Sequence, residues 1–136
     1  MDFTDSSNPV EIAFFDRGPL DEEELITAGY WSTYWYGGYI YATEIARGLD
    51  VFALEPSDYL SENEIAAASL QDANVTVNAQ TQERVNWPAV PVVARAYIDQ
   101  LQRSDAIDAQ QLQPLLRLLE QAEDLLDSSS SSDSGL

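Results

Sequence analysis

A run of aromatic residues around a pair of glycines constrains the fold of this chain more than any other feature. Five of the seven tyrosines and two of the three tryptophans lie between Tyr30 and Tyr41. Gly37–Gly38, inside that run, is typical of a two-residue β-hairpin turn. The predicted elements are strands at Trp31–Tyr36, Tyr39–Ile45 and Leu49–Leu54, with a second turn at Ala46–Gly48. We therefore expect a three-stranded antiparallel meander in which rings on neighbouring strands pack in pairs.

The segment before the meander has the alternation of a short strand. Val10, Ile12 and Phe14 are apolar, and the turn-forming pair Asn8–Pro9 precedes them. We predict a strand over Asn8–Phe15.

Three helices are predicted after the meander. The first starts at a capping box, Ser61–Glu64, and reaches Ala68. In the other two, apolar residues repeat at helical spacing. Their predicted spans are 88–101 and 112–126, and they should pair as an antiparallel hairpin. Pro114 is expected in the first turn of the last helix, because an interior proline removes a hydrogen bond.

The charge balance narrows the possible partners. The chain has 24 acidic and 6 basic residues, a net charge of −18, and every basic residue is arginine. Such a surface repels nucleic-acid phosphates and anionic membranes, so neither is an expected partner. An acidic mimic of nucleic acid, bound to a basic protein, is one interpretation. A solvated surface with halophilic adaptation is the favoured one.

Cysteine and histidine are both absent from the chain. Their absence excludes disulfides, thiolate chemistry, zinc or haem ligation by these residues, and histidine-dependent catalytic triads. We expect no metal and no cofactor. The first residues have no signal-peptide pattern, and no stretch is apolar over the length needed to span a bilayer. The chain is therefore expected to be cytosolic, or exported by a signal on a segment outside this sequence.

Several segments resemble the LVIVD-repeat proteins, a bacterial and archaeal β-propeller family. A repeat of that family has a tyrosine-rich strand, a strand like Leu-Val-Ile-Val-Asp, and an Asp-Pro-x-Asn-Pro loop that leads to an outer strand. The segments that carry the resemblance are Phe3–Ile12, Gly29–Tyr36, Gly38–Ala42, Glu44–Val51, Gly48–Phe52 and Val92–Tyr97. The chain departs from the pattern at Asp50, where an apolar residue is usual. It also departs at Glu55–Ser57, which replaces the loop and would suit a final repeat.

The resemblance implies a β-then-α fold, in which a partial β-propeller is followed by a C-terminal helical hairpin. The partial propeller would contain the outer strand of one blade and the three-stranded meander. The implied units are a propeller blade fragment (1–60), a short helix and irregular linker (61–87), the helical hairpin (88–126) and a disordered serine-rich tail (127–136). Since a propeller closes on itself, the remaining blades or another chain would complete the sheet. We therefore expect a fragment, a split reading frame or one piece of a larger assembly.

Glu44, Arg47 and Asp50 are candidates for a polar binding site, because they cluster around one hairpin turn. A network of ion pairs and turn contacts is the favoured explanation. The acidic runs Asp21–Glu24 and Glu120–Asp124 lack the pattern of a calcium loop and are expected to be solvated surface. No catalytic residue is identified.

The aromatic rings are a second group of candidates for ligand binding. The rings that could stack on a sugar or another ligand are those of Trp31, Tyr34, Trp35 and Tyr36. Packing in the core or between blades is the favoured role of these rings.

The sequence leaves two functions open. The leading hypothesis is the non-catalytic C-terminal part of a propeller, with a structural role or a role in ligand or protein binding. For a full-length protein, the resemblance implies a surface or secreted location. The alternative is part of a propeller enzyme whose active site lies on blades absent from this chain. The fold does not separate the two, because propellers host both. The sequence encoded immediately upstream would distinguish these two functions.

Overall fold

The computed structural model describes residues 1–3, 5–70 and 86–133, with side chains up to residue 129. The elements are β1 (Tyr30–Tyr36), β2 (Tyr39–Glu44), β3 (Gly48–Phe52), α1 (Glu62–Ser69), α2 (Pro91–Arg103) and α3 (Ala109–Asp133). The strands form one open antiparallel sheet with β2 in the middle. The predicted meander and the order of strands before helices are confirmed.

The hairpin between β1 and β2 depends on its two glycines. Gly37 and Gly38 have φ angles of 57° and 85°, in the left-handed region that a two-residue turn of this kind requires. The tight turn places Tyr36 opposite Tyr39 and Tyr34 opposite Tyr41. The turn therefore fixes which rings share a face of the sheet.

The prediction of a strand over Asn8–Phe15 is wrong. Val10 forms an isolated bridge with Asp2, and residues 11–15 are not in a strand. The ring of Phe15 lies 4.6 Å from that of Phe52, so this segment packs on the sheet instead of pairing with its edge. It therefore does not form the expected outer strand of a blade.

Reciprocal capping bonds set the start of α1 and of α3. At α1, the Ser61 hydroxyl accepts a hydrogen bond from the Glu64 amide at 3.1 Å, and Glu64 accepts one from the Ser61 amide at 2.7 Å. The predicted capping box is confirmed. At α3, Asp108 and Gln111 exchange the same pair of bonds, at 2.9 and 3.3 Å. Because this cap starts α3 at Ala109, Pro114 lies inside the helix, and its predicted place in the first turn is wrong.

Helix α3 extends through most of the serine-rich tail that was expected to be disordered from Asp127. Its last residue is Asp133. Ser128 and Ser129 donate hydrogen bonds to the carbonyls of Leu125 and Leu126, so these hydroxyls bond to the helix backbone. The predicted irregular linker falls mainly on residues 71–85, which lie outside the described part of the chain, as do residues 134–136.

The buried apolar core is small. Ala67 of α1 packs with Val93 and Ala96 of α2, and Val92 borders this cluster. Among the described residues, no large side chain is fully buried. Helix α3 lies antiparallel to α2, and Arg95 binds Glu123 at 2.5 Å between them.

Candidate functional site

The register assigns each strand residue to one of two faces, because successive side chains of a strand point to opposite sides. One face, which we call the covered face, carries Trp35, Ile40 and Phe52 side by side on the three strands. Ala42 and Asp50 lie on the same face, and Ala42 is completely buried. Part of the loop before β1 lies against this face and covers it.

Asp50 is the centre of a polar network on the covered face. It accepts a hydrogen bond from the Tyr30 hydroxyl at 2.7 Å, and its other carboxylate oxygen binds Arg17 at 2.6 Å. The guanidinium of Arg17 also lies 5.5 Å from the ring centroid of Phe15, which packs on Phe52. The hydrogen bonds from Tyr30 and Arg17 lower the pKa of Asp50, while desolvation and the bond to Asp50 raise the pKa of Tyr30. Asp50 is therefore ionised at neutral pH, with both oxygens bonded.

Glu44 ties together the chain segments at the end of β2. One carboxylate oxygen accepts a hydrogen bond from the Gly29 amide at 2.7 Å. The other accepts from the Ala46 amide at 2.8 Å and from the Arg47 amide. The bond from Gly29, followed by those from Arg47 and Ala46, lowers the pKa of Glu44 although desolvation opposes the change. The Arg47 side chain donates to the Pro19 carbonyl at 3.1 Å.

The three polar residues singled out in the sequence therefore lie near one another but bond to different partners. Glu44 binds backbone amides, Asp50 binds Tyr30 and Arg17, and the Arg47 guanidinium binds a loop carbonyl. A general acid or base works best when its pKa is near the operating pH, and the pKa values of both carboxylates move away from neutrality. Their bonds fit a role in holding the loops on the sheet.

A small cavity lies among these groups. Its volume is about 110 Å³, and its walls include Arg17, Tyr30, Glu44 and Arg47. Pockets for small molecules usually measure about 300–1,000 Å³, so this cavity is too small for such a ligand. It has room for a few water molecules.

The opposite side of the sheet carries four tyrosines, and we call it the tyrosine face. The register places Tyr34, Tyr36, Tyr39 and Tyr41 on it, and the ring centroids of Tyr36 and Tyr41 are 6.4 Å apart. The first three are 45–48% exposed. The face extends onto β3 through Val51, which lies opposite Tyr41. The strand positions on this face hold no charged residue.

The aromatic candidates from the sequence are divided by the sheet. Tyr34 and Tyr36 belong to the tyrosine face, whereas Trp35 is half-buried on the covered face. Trp31 lies where the register shifts between Tyr30 and Ser32, and its side chain is exposed. Two of the four rings, those of Tyr34 and Tyr36, therefore share a face, and the four do not form one stacking platform.

Neither the tyrosine face nor the role of Tyr30 was predicted from the sequence. The signal for the tyrosine face was present, because a two-residue turn at Gly37–Gly38 requires Tyr36 to lie opposite Tyr39. The binding of Tyr30 and Arg17 to the same carboxylate, that of Asp50, had no such signal. It joins a loop residue to a strand residue, and their spacing in the sequence does not indicate contact.

A second buried carboxylate joins α1 to α2. Glu64 accepts two hydrogen bonds from the Arg103 guanidinium, at 2.6 and 2.8 Å, in addition to its capping bond from Ser61. Desolvation would raise the pKa of Glu64, but the bonds from Arg103 and Ser61 outweigh it and lower the pKa to about 2. Glu64 therefore stabilises both the start of α1 and its contact with the end of α2.

The described residues show neither a metal-binding cluster nor a membrane-spanning helix. Within residues 1–3, 5–70 and 86–133, no three acidic side chains gather in a group that could hold a metal ion. No helix in that part of the chain combines the length and the apolar character needed to cross a membrane. Compared with protein-family models, curated proteins and solved structures, the chain gives no match in any of the three.

Proposed function

We propose that this chain is a non-catalytic module whose sheet packs against further β-structure, as a blade does in a propeller. The observation that carries the proposal is the tyrosine face, whose strand positions hold no charge and whose residues Tyr34, Tyr36 and Tyr39 are 45–48% exposed. The resemblance to LVIVD-repeat proteins agrees with it, since those proteins are built from stacked tyrosine-rich sheets. The proposed partner is a neighbouring blade, on the same polypeptide or on another chain.

The size of the exposed surface supports an interaction role. An aromatic side chain buries about 150–250 Å² when fully covered, so three half-exposed tyrosines offer roughly 200–350 Å². Leu49 and Val51 lie on the same face and are more than half exposed. Exposed apolar patches of about 300–600 Å² are the largest on typical monomers and are often functional.

The edge of the sheet gives a second argument. Natural edge strands are usually protected against further pairing by lysine, proline or inward-pointing charges. Strand β1 has none of these residues, and among the described residues only β2 pairs with it. Among the described residues, the feature that protects this edge is the irregular register near Trp31. Within residues 1–3, 5–70 and 86–133, the outer side of β1 pairs with no strand, so it is the edge at which we propose that further β-structure is added.

The chemistry of the carboxylates favours binding over catalysis. Glu44, Asp50 and Glu64 have lowered pKa values and accept several hydrogen bonds each. They act as ionised acceptors within the fold, and none is poised to exchange protons near neutral pH.

Amide hydrogen exchange tests the proposal. In the isolated chain, we expect the outward-facing amides of β1 to exchange much faster than those of β2, which has neighbours on both sides. A polypeptide with tyrosine-rich β-repeats, encoded beside this chain, should slow exchange in β1 when the two are expressed together. If β1 is already as protected as β2 in the isolated chain, its sheet needs no completion and the proposal fails.

A pair of matched variants locates the contact. Tyr34→Lys places a charge on the tyrosine face, whereas Tyr59→Lys makes the same change at an exposed tyrosine outside the sheet. We expect Tyr34→Lys to abolish the protection of β1 by the partner and Tyr59→Lys to leave it unchanged. Equal effects of the two variants would show that the tyrosine face is not the contact.

A further inference from the structure

Helix α3 carries two rows of leucines, and only one of them faces α2. Leu112, Leu116 and Leu119 are partly buried and lie on the same side as Glu123, which binds Arg95 of α2. The second row consists of Leu115, Leu118, Ala122 and Leu125, and we call it the leucine seam. At 3.6 residues per turn, the seam lies about 120° around the helix from the α2 side.

The leucine seam is exposed and has the spacing of a coiled-coil interface. Leu118 and Leu125 are 63% and 71% exposed. The steps between its members are three, four and three residues, the alternation with which one helix packs along another. Among the described residues, α2 is the element that packs on α3, and it does so on the other side.

Charge is absent from the seam and its borders, although the chain carries a net charge of −18. The positions that flank the seam are Leu119, Gln121, Leu126 and Ser128. Between Ala109 and Ser129, the charged residues on the rest of α3 are Arg117, Glu120, Glu123, Asp124 and Asp127. In coiled coils, charges at the flanking positions select or reject partners. Because the flanking positions of this seam are uncharged, a second copy of the seam would meet no like charge there.

We propose that the leucine seam binds the same seam of a second copy of this chain, with the two α3 helices antiparallel. An antiparallel pair with its two-fold axis beside residue 120 places Leu118 of one copy opposite Ala122 of the other. The same axis places Leu115 opposite Leu125. Large and small residues then alternate across the interface, as in well-packed cores, and the contact is isologous, as a two-fold dimer requires. With α2 and α3 from each copy, the product is a four-helix bundle.

The net charge predicts how this dimer responds to salt. Two copies that each carry −18 repel one another, and salt screens that repulsion over a distance of about 10 Å at 0.1 M and about 3 Å at 1 M. The seam itself is apolar and does not weaken in salt. Dimerisation should therefore become stronger as the salt concentration rises, the opposite of an interface built on opposite charges.

Sedimentation equilibrium of the full chain, in 0.1 M and 2 M NaCl, tests the proposal. We expect a dimer whose dissociation constant falls as salt rises, and Leu118→Glu should raise that constant at least tenfold. Gln113→Glu adds the same charge on the polar side of α3 and should have little effect. Because Leu118 is largely exposed, its variant should keep the circular dichroism spectrum of the parent chain. A chain that stays monomeric in both salts, or a dimer that Leu118→Glu leaves intact, would overturn the proposal.

Single cysteines test the antiparallel arrangement, since the chain has no cysteine of its own. A mixture of the Leu115→Cys chain with the Leu125→Cys chain should yield the mixed disulfide in preference to either homodimer. Disulfides formed only between identical chains would reveal a parallel pair and contradict the proposed axis. Tyr34→Lys should dimerise normally, because its face is separate from the seam.

Discussion

Replacing Arg103 by Met tests how much one buried ion pair contributes to the packing of α1 on α2. Arg103 is the last residue of α2 and reaches the Glu64 carboxylate with two hydrogen bonds. Met has a helix propensity close to that of Arg and a stem of similar length, so the change removes the charge with little effect on the helix. The Glu64 side chain is only 7% exposed, so the variant leaves a buried carboxylate without its counter-ion.

The expected loss follows from the pKa of Glu64. Its drop from 4.5 to about 2 corresponds to about 3 kcal/mol of stabilisation. Removing one partner of a buried pair typically costs about 3–5 kcal/mol. Arg103 is 28% exposed and keeps part of its hydration, which reduces that cost. We therefore expect Arg103→Met to lower the free energy of unfolding by about 2–3 kcal/mol at pH 7.

The pH dependence gives an independent check. The pKa of Glu64 is lower in the folded chain than in the unfolded chain, so the unfolded chain takes up its proton first as the pH falls. The stabilisation is therefore complete above about pH 5 and is lost progressively towards pH 2. In Arg103→Met, burial acts on Glu64 without the arginine, so this part of the acid sensitivity should shrink or reverse.

Urea unfolding at pH 7 and pH 3, followed by circular dichroism at the helix band, measures both effects. Arg95→Met is the matched control, because Arg95 also forms two hydrogen bonds to a glutamate, but both side chains of that pair are about 30% exposed. Exposed pairs contribute about 0–1 kcal/mol. If the two variants lose the same stability, burial of the carboxylate does not determine the effect, and the reasoning is refuted.

Three further changes have definite expected results in urea unfolding. Glu44→Gln removes the charge that binds three backbone amides, so it should lower the unfolding midpoint at pH 7. Because the pKa of Glu44 is lowered in the fold, the variant should also lose less stability than the parent chain when the pH is lowered. Gly38→Ala should destabilise the folded chain more than Gly37→Ala does. Both positions have a positive φ, which costs an alanine about 1–2 kcal/mol. Only the new Cβ at position 38 would also lie 2.8 Å from the Ser69 hydroxyl oxygen. Pro114→Ala should stabilise α3 by about 2 kcal/mol, because it restores an interior helix bond at a small cost in chain entropy. A midpoint that moves the other way would contradict the corresponding argument.

The parts of the fold that were predictable depend on contacts between residues close in sequence. Gly37–Gly38 determines a tight turn within four residues, and Ser61 caps a helix through a residue three positions later. Both signals are local, and both predictions hold. The second cap, between Asp108 and Gln111, is equally local but was overlooked, which is why α3 was expected to start later than it does.

The parts that were missed depend on contacts between distant residues. The alternation of Val10, Ile12 and Phe14 is that of a strand, but a strand also needs a partner, and Phe15 finds a more favourable contact against Phe52. Arg103 and Glu64 are 39 positions apart, and Arg17 lies far from Asp50 in the sequence. Neither pairing has a periodicity that reveals it. The candidate site was therefore recognised as a set of residue types, whereas its division between two faces required the register.

The separation of strands from helices has a thermodynamic consequence. Among the described residues, strands pack mainly on strands and helices on helices, and the turn at Gly38 lies beside Ser69 of α1. If these two small cores share little surface, we expect them to melt as separate cooperative units. In scanning calorimetry, the measured enthalpy of unfolding should therefore exceed the van't Hoff enthalpy calculated from the width of the transition. A protein that binds the sheet would then raise the melting temperature of the sheet and leave the melting temperature of the helices unchanged.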